Sequence, residues 1–283
     1  MYEIKSKRYL SPAVTEMRIY APRIAESAQP GQFLIVRVDE TAERIPLTIC
    51  DYDVEDGTVT IVTQAVGLSS RIINDMQEGD AFADVAGPLG RPSDLVEMTP
   101  QELAAERILF VAGGVGAAPV YPQVKWLHNH GIQADVIIGA KTSELLCYVD
   151  EMKAVAGNLY LCTDDGSAGF HGMVPALMEQ LYEKGNYTRC VVIGPMIMMK
   201  FASLSTLKAG IPTIVSLNAL MVDGTGMCGA CRVTVDGKTR FTCVEGPEFD
   251  AHKVDFDEAM RRQNMYRENP KTTSEKCTCH GSK

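Results

Sequence analysis

Five of the nine cysteines in this 283-residue chain, Cys228, Cys231, Cys243, Cys277 and Cys279, fall in its last quarter. Three of them follow an aspartate in the spacing Asp223-x4-Cys228-x2-Cys231-x11-Cys243. Gly224, Gly226 and Gly229 lie between these positions. Glycine lets backbone wrap tightly and present amides to sulfur, so the segment reads as a ligating loop rather than a helix or strand. Before Cys243 the pattern Val233–Val235, Asp236-Gly237, Lys238–Phe241 reads as strand, tight turn, strand. Such a hairpin folds Cys243 back beside the loop.

Cysteine-rich loops of this kind serve several chemistries. Plant-type two-iron clusters use C-x4-C-x2-C and a distant cysteine, and here aspartate stands in the first place. A structural zinc is the rival, with Cys277, Cys279 or His280 completing the set. Free buried thiols are the third reading. The glycines and the spacing favour iron. A carboxylate oxygen is harder than a thiolate sulfur, so an aspartate ligand shifts a cluster's reduction potential. The other four cysteines, Cys50, Cys147, Cys162 and Cys190, stand singly among apolar residues and read as small buried hydrophobes.

Composition narrows the class. Apolar residues make up 46% and charged residues 22%, an ordinary globular balance. Lys plus Arg number 27 against 36 Asp plus Glu, a net charge of -9 that disfavours nucleic acid as a partner. No apolar run approaches the roughly 18 residues of a membrane span. The N-terminus carries no apolar core of a signal peptide. Nine cysteines without an export signal fit a reducing cytoplasm, where they ligate metals more often than they pair.

The hydrophobic pattern divides the chain into three regions, residues 1–97, 98–212 and 213–283. In the first, Glu16–Tyr20 and Thr58–Ile61 alternate and Phe33–Val38 is a short apolar run, which predicts a small antiparallel β barrel with one helix near Leu68–Met76. In the second, Ile108–Ala112, Val136–Ile138, Leu159–Cys162 and Cys190–Ile193 are continuous apolar runs separated by helical patterns, Met173/Leu177/Leu181 and Ile197/Phe201/Leu204. That predicts a parallel α/β sheet. The third is irregular apart from the hairpin, and Lys271–Lys283 is a polar tail.

Two further groups of residues suit phosphates. On the predicted fourth barrel strand lies Arg44-Ile45-Pro46-Leu47-Thr48-Ile49. An arginine fork can hold a pyrophosphate, and Thr48 can hydrogen-bond the N5 or O4 of a flavin. An exposed strand with one arginine reads the same way. Gly67-Leu68-Ser69-Ser70 opens the lone helix and makes either a phosphate cradle or an ordinary N-cap. Gly87-Pro88-Leu89-Gly90 reads as a tight loop closing the barrel.

In the α/β region, Gly113-Gly114-Val115-Gly116-x-x-Pro119 follows an apolar strand, where glycines admit a diphosphate to backbone amides. Gly194-Pro195-Met196 ends the last strong strand, again where open α/β sheets bind ligands. Asp164 and Asp165 end the third strand. Two carboxylates there would repel a ribose 2′-phosphate, favouring NAD(H) over NADP(H), or they form a solvated acidic loop. No histidine has metal or nucleophile spacing, and no catalytic side-chain triad stands out.

In this order the motifs resemble the ferredoxin–NADP reductase superfamily. They are most similar to the branch that holds the electron-transfer subunit of dihydroorotate dehydrogenase, the sulfhydrogenase gamma subunit and the small subunit of NADH-dependent reduced ferredoxin:NADP oxidoreductase (Nfn, also called sulfide dehydrogenase). Asp223 in place of the first cysteine is similar to the last of these. The resemblance covers the chain to about residue 265 and implies an FAD-binding barrel, an NAD(H)-binding α/β domain and a small [2Fe-2S] domain. It implies that Arg44, Pro46, Leu47, Thr48, Gly67, Ser69 and Ser70 bind FAD. Gly114, Gly116, Asp164, Asp165, Gly194, Pro195 and Met196 would line the NAD(H) site, and Asp223, Cys228, Cys231 and Cys243 would hold the cluster.

The implied activity is cytoplasmic electron transfer, with no protein acid or base doing the main chemistry. Hydride from NADH reaches FAD, and single electrons pass through the cluster to a large partner subunit with a second flavin and [4Fe-4S] clusters. Together the two subunits would couple NAD(H), NADP(H) and ferredoxin by bifurcation. A dihydroorotate dehydrogenase or hydrogenase diaphorase electron-transfer subunit is the alternative within the class. A zinc-stabilised nucleotide-binding protein without redox activity is the alternative outside it. Cys277-Thr278-Cys279-His280 has no counterpart in the family pattern.

Overall fold

The computed structural model of the chain describes residues 2–265. Cys277, Cys279 and His280, the candidate zinc ligands of the tail, lie outside the described residues.

Seven antiparallel strands build the first unit: β1 (Tyr2–Ser11), β2 (Val14–Tyr20), β3 (Phe33–Arg37), β4 (Ile45–Asp53), β5 (Thr58–Gln64), β6 (Ala81–Phe82) and β7 (Asp84–Leu89). Their hydrogen-bonded order is β6-β1-β2-β5-β4-β3-β7. The two outermost strands are consecutive in the chain, with only Ala83 between them. The Ala83 amide donates to the carbonyls of Arg37 and Val38. The sheet is thus curled until its edges nearly meet, as the barrel expectation requires. Alternation along the strands turns Met17, Ile19, Leu34, Val36, Val59 and Ile61 into one core. The helix Leu68–Asp75 lies where the pattern predicts it, and a short helix, Pro22–Ser27, adds Ile24 and Ala25 to the same core.

One expected turn is instead strand. Gly87-Pro88-Leu89 belongs to β7, which slips register against β3 between Phe33 and Ile35. The extra residue of this bulge accommodates Pro88, which has no amide to give the ladder. Gly87 is required there, since a Cβ would sit 2.9 Å from that of Leu34.

The second unit is an α/β sheet of β8 (Ile108–Gly113), β9 (Asp135–Ala140), β10 (Leu159–Thr163), β11 (Phe170–His171), β12 (Arg189–Ile193) and β13 (Thr213–Ser216). The hairpin β14 (Arg232–Val235) and β15 (Lys238–Phe241) follows, turning at Asp236-Gly237 with both residues at positive φ, as the sequence predicts. The chain then returns to the large sheet as β16 (Glu248–Asp250). That sheet has the order β11-β10-β9-β8-β12-β13-β16, parallel throughout except for β16. The strand Thr213–Ser216, placed by the sequence at the head of the third region, is hydrogen-bonded into this sheet.

Helices cover both faces. Ala117–Asn129 and Val149–Val155 pack on one, Val174–Lys184 and Met196–Ala209 on the other. In the last of these the Ile197/Phe201/Leu204 stripe faces solvent, contrary to the amphipathic expectation. Met196, Met199, Ala202 and Thr206 are the buried face. This helix is apolar on both sides, so spacing alone does not decide which side packs.

Barrel and sheet are joined by polar contacts. Lys125 pairs with Asp51 at 2.7 Å, Arg8 with Glu151 at 2.6 Å, and the Tyr148 hydroxyl donates to Glu16 at 2.6 Å. No helix among the described residues is long and apolar enough to cross a membrane.

Phe110, fully buried on β8, is the largest side chain at the centre of the sheet. Phe110→Ala is expected to lower unfolding stability by about 3–5 kcal/mol, read as a lower urea midpoint at unchanged slope.

A candidate site for flavin, dinucleotide and cluster

The site is organised by two neighbouring barrel strands. β3 and β4 pair with Phe33 opposite Thr48, Leu34 opposite Leu47, and Ile35 opposite Pro46. Leu34 and Leu47 point into the barrel, and Phe33, Ile35, Pro46 and Thr48 therefore share its outer face. Arg44 precedes β4, where its guanidinium lies 3.1 Å from Asp84. Next to it, Glu43 accepts a hydrogen bond from the Ser69 hydroxyl. The strand entrance and the start of the helix Leu68–Asp75 thus come together through Glu43 and Ser69, while the Arg44 guanidinium is turned to Asp84 on β7.

The roles of these residues differ. The Ser70 hydroxyl accepts from the amides of Val66 and Gly67, both at 3.0 Å, so it shapes the turn. Gly67 has open space where a side chain would be. The donor types suit a pyrophosphate: a guanidinium, a hydroxyl and a helix N-terminus with open space at Gly67. Pro46 and Thr48 are partly exposed on the outer face of β4, free to take a flat ring, whereas the Leu47 side chain turns to the barrel core.

The cysteine loop lies on the other half of the same face. Cys231, Cys243 and Met221 form a buried cluster with Phe33 and Ile35. Gly224, at φ +84°, packs against the barrel so closely that a Cβ would be 2.4 Å from Ile35 Cδ1. The Cys231 thiol lies 3.2 Å from that of Cys243, while Cys228 is exposed. The Asp223 carboxylate accepts from the amides of Thr225 and Met227, both at 3.0 Å, and from the Thr225 hydroxyl. These bonds, led by the Thr225 amide and with a smaller contribution from the Arg44 charge, hold Asp223 below the usual carboxylate range. Backbone amides, chiefly that of Ala230, lower the Cys228 thiol. Burial and the neighbouring Cys231 raise Cys243.

No three His, Cys, Asp or Glu side chains converge as a metal-binding set among the described residues. The loop brings Cys231 and Cys243 into contact, leaves Cys228 on the outside, and turns Asp223 onto its own backbone. The donor chemistry nonetheless fits an anionic cluster. Three glycines at positive φ, Gly224, Gly226 and Gly229, fold amides towards sulfur, and the Cys243 amide lies 3.5 Å from Cys231 Sγ.

The dinucleotide motifs meet at the centre of the α/β sheet. β8 leads to β9 on one side, while its other neighbour is β12, so strand order reverses between β8 and β12. At such a switch point a crevice opens beyond the carboxyl ends of the strands. Gly113-Gly114 ends β8 and Gly194-Pro195 follows β12. A Cβ on Gly194 would lie 3.0 Å from Gly113 Cα, and one on Gly116 would lie 2.3 Å from the Ile193 carbonyl oxygen. Gly114 at φ +56° has open space beside it, and its carbonyl accepts from the Cys147 thiol. Met196 does not line the crevice, because its side chain is buried in the core beneath. Asp164 and Asp165 follow β10, two strands away, or about 10 Å at the usual strand spacing. Asp165 caps its own loop through Ser167, at 3.0 Å from the amide and 2.6 Å from the hydroxyl. Both aspartates are exposed.

Residues 218–255 match the family model of the iron–sulfur cluster binding domain of dihydroorotate dehydrogenase B. A Thermotoga maritima homolog of the dihydroorotate dehydrogenase B (NAD(+)) electron transfer subunit is 42% identical, covering 97% of this chain and 94% of its own. The chain belongs to the dihydroorotate dehydrogenase B electron-transfer subunit family. An uncharacterized protein from the adh 3′ region of Clostridium beijerinckii is 55% identical over 94% of this chain and 91% of its own. A solved structure of an NADH-dependent reduced ferredoxin–NADP oxidoreductase, described for flavin-based electron bifurcation, superposes with a TM-score of 0.90 at 42% identity, over 97% of each chain.

Sequence reasoning missed one buried polar junction. Gln123, Ser93 and Glu248 meet there from segments far apart in the chain, and no local pattern marks them.

The tight approach of β8 and β12 gives a direct test. Gly116→Ala forces a methyl against the Ile193 carbonyl, which must push the loop away from β12 and is expected to weaken NADH binding by about tenfold, or about 1.4 kcal/mol. Titration of NADH against the variant should show this loss while flavin content stays at the level of the unmodified protein.

Proposed function

We propose that the chain is the electron-transfer subunit of an NADH-dependent reduced ferredoxin:NADP oxidoreductase of the electron-bifurcating kind. One observation carries this reading. The flavin motif on β4 and the cysteine loop resting on β3 share the outer face of two hydrogen-bonded strands, about 4.8 Å apart. Two redox groups held there are close neighbours, and the nucleotide crevice borders the same barrel through the helix Ala117–Asn129, tied to β4 by Lys125 and Asp51. The three-unit division at residues 1–97, 98–212 and 213–283 is the functional counterpart of this arrangement, although β13 and β16 belong to the central sheet.

When bound, FAD supplies the conversion between a two-electron hydride from NAD(H) and single electrons, and a [2Fe-2S] cluster supplies a one-electron carrier. This chain's own residues bind and orient. Arg44, Gly67 and Ser69 would grip the pyrophosphate, with Ser70 fixing the turn. Pro46 and Thr48 would form the ring platform, with Leu47 offering only its backbone between them and the Thr48 hydroxyl serving as a hydrogen-bonding group at the ring edge. Gly114, Gly116, Gly194 and Pro195 would bring backbone to the dinucleotide, with Met196 as the floor beneath. Asp164 and Asp165 would face the adenosine ribose. Asp223, Cys228, Cys231 and Cys243 would hold the cluster.

The exposed edge at Cys228 suits delivery to a partner catalytic subunit. We assign that partner a second flavin and [4Fe-4S] clusters, with ferredoxin and NADP(H) reached through it, and place the pair in the cytoplasm. Many relatives carry the dihydroorotate dehydrogenase B name, which keeps that enzyme's electron-transfer subunit as a second reading. Asp223 at the first cluster position argues for the bifurcating complex.

Anaerobically purified chain should show flavin absorption near about 450 nm with a broad iron–sulfur shoulder, both bleached by NADH. A colourless protein containing stoichiometric zinc, inert to NADH after reconstitution, would overturn the reading. Asp223→Cys should retain a two-iron EPR signal with altered g-values and reduction potential. An unchanged spectrum and potential would remove Asp223 from the ligand set. Asp164→Arg, by exchanging repulsion for attraction at the ribose, should move the NADPH-to-NADH ratio of kcat/KM upward by about tenfold or more.

A further inference from the structure

The three units of the chain meet at a side-chain cluster that none of the redox motifs includes. Glu248, on β16, extends its carboxylate to Gln123 of the helix Ala117–Asn129, whose amide nitrogen donates to Glu248 Oε1 at 2.7 Å. Ser93, from the segment that leaves the barrel, approaches Gln123 Oε1 at 3.2 Å and also reaches the Glu248 carboxyl. Ser93 and Gln123 are fully buried. Gly31, at φ +89°, leaves the room. A Cβ there would lie 2.7 Å from the Ser93 amide nitrogen and 3.2 Å from Glu248 Oε1. The backbone on either side is stitched in place. The amide of Arg91 donates to Gly246 at 2.7 Å, that of Leu217 to Pro247 at 2.9 Å, and that of Ser93 to Pro30 at 2.8 Å.

Counting donors among the three side chains favours one protonation state. With Glu248 ionised, the single Ser93 proton must serve two acceptors, Gln123 Oε1 and the carboxylate, and one goes without. With Glu248 neutral, its O–H donates to Ser93 Oγ, the Ser93 O–H donates to Gln123 Oε1, and the Gln123 amide donates back to Glu248. Every member of that ring gives one hydrogen bond and accepts one.

We propose that Glu248 is a positioning residue that works as a neutral acid, closing a three-membered hydrogen-bond ring that locks barrel, nucleotide helix and cluster segment in one arrangement. Loss of its proton opens the ring and loosens the seam. The surroundings agree. Burial, the largest influence, raises Glu248 from the ordinary 4.5 to about 7. Ser93 and Gln123 oppose this through hydrogen bonds, Asp94 adds to it, and Arg189 opposes it weakly. Arg189 is engaged by Asp94 at 2.7 Å and Glu106 at 3.5 Å. The folded chain therefore holds a proton that the unfolded chain releases above about 4.5. The lock's contribution is complete below that pH and is lost as pH rises through about 7.

The position of Glu248 gives the lock its reach. It lies five residues beyond Cys243 and contacts the helix that begins at the Gly113–Gly116 loop. One proton thus bears on both ends of the electron path. That consequence rests on the function proposed above, whereas the lock does not.

The test uses the full chain with its cofactors and three forms: unmodified, Glu248→Gln and Glu248→Ala. Glutamine carries one donor and one acceptor group and mimics the neutral acid at every pH. Amide hydrogen exchange of residues 117–129 and 243–250, corrected for intrinsic rates, is compared at pH 6 and pH 8. The unmodified chain should lose protection several-fold between the two. Glu248→Gln should stay protected at both, and Glu248→Ala should be unprotected at both. If Glu248→Ala does not fold, Ser93→Ala, which removes the link between acid and amide, takes its place with the same expectation. A pH-independent unmodified chain, or a Glu248→Gln chain that loses protection in parallel with it, overturns the proposal. The NADH:ferricyanide rate measured alongside separates the two readings. An inactive protein with the expected exchange pattern removes the proposed function and leaves the lock standing.

Discussion

Everything this chain can do with electrons depends on the packing of a glycine-bent loop against two side chains, Phe33 and Ile35, on the outer face of β3. The barrel interior is an ordinary apolar core. Its exterior is not, because that face is left apolar at Phe33 and Ile35 and is covered by Cys231, Cys243 and Met221. Burying those thiols against the barrel removes them from water and fixes the loop at strand-to-strand distance from Thr48 and Pro46. The glycine at 224 is the steric condition for the approach, since any side chain there would displace Ile35.

A second close approach, at the sheet's switch point, plays the same part for the dinucleotide. Gly113, Gly116 and Gly194 let β8 and β12 end within backbone contact of one another, so the crevice beyond them is lined by main chain. The two approaches are kept in register by polar contacts across the barrel–sheet boundary. Lys125 with Asp51, Arg8 with Glu151 and Tyr148 with Glu16 are partly solvated. Partly exposed pairs of this kind contribute little stability singly. They fix orientation together with Cys50, Leu10 and Val62, barrel residues packed into the apolar core of the α/β unit.

Much of this was legible from residue order. Alternation in β2 and β5 reports strands because side chains alternate across a sheet, although the threonines of β5 are buried as well as its Val59 and Ile61, and the hairpin at Asp236-Gly237 needs residues that tolerate positive φ. The α/β sheet showed itself through continuous apolar runs, which only strands covered on both faces can carry. Where reading failed, competing signals were present. The helix Met196–Ala209 is apolar on two sides, and Ile197, Phe201 and Leu204 had the better spacing while Met196, Met199 and Ala202 had the burial. Gly87-Pro88 has the composition of a turn, but a bulge in an edge strand absorbs the same two residues. At the cysteine loop, spacing identified the candidate donors. It did not foretell that Asp223 spends its carboxylate on the amides of Thr225 and Met227. The junction of Ser93, Gln123 and Glu248 lay beyond reach, because its members are 30 and 125 residues apart and each looks unremarkable in its own segment.

The strand β16 has a consequence for how such a chain is made. The barrel is complete by residue 89, so it can close while synthesis continues. The α/β sheet cannot. Its outermost strand, β13, keeps an unpaired edge until Glu248–Asp250 arrives, and that segment comes only after the cysteine loop and hairpin have been made. An open parallel edge is the most adhesive surface a nascent domain exposes. Here the strand that covers it is the continuation of the cluster-binding segment. A chain truncated or stalled before that point is left with a sticky sheet as well as without a redox loop, so quality control on folding doubles as quality control on the electron path.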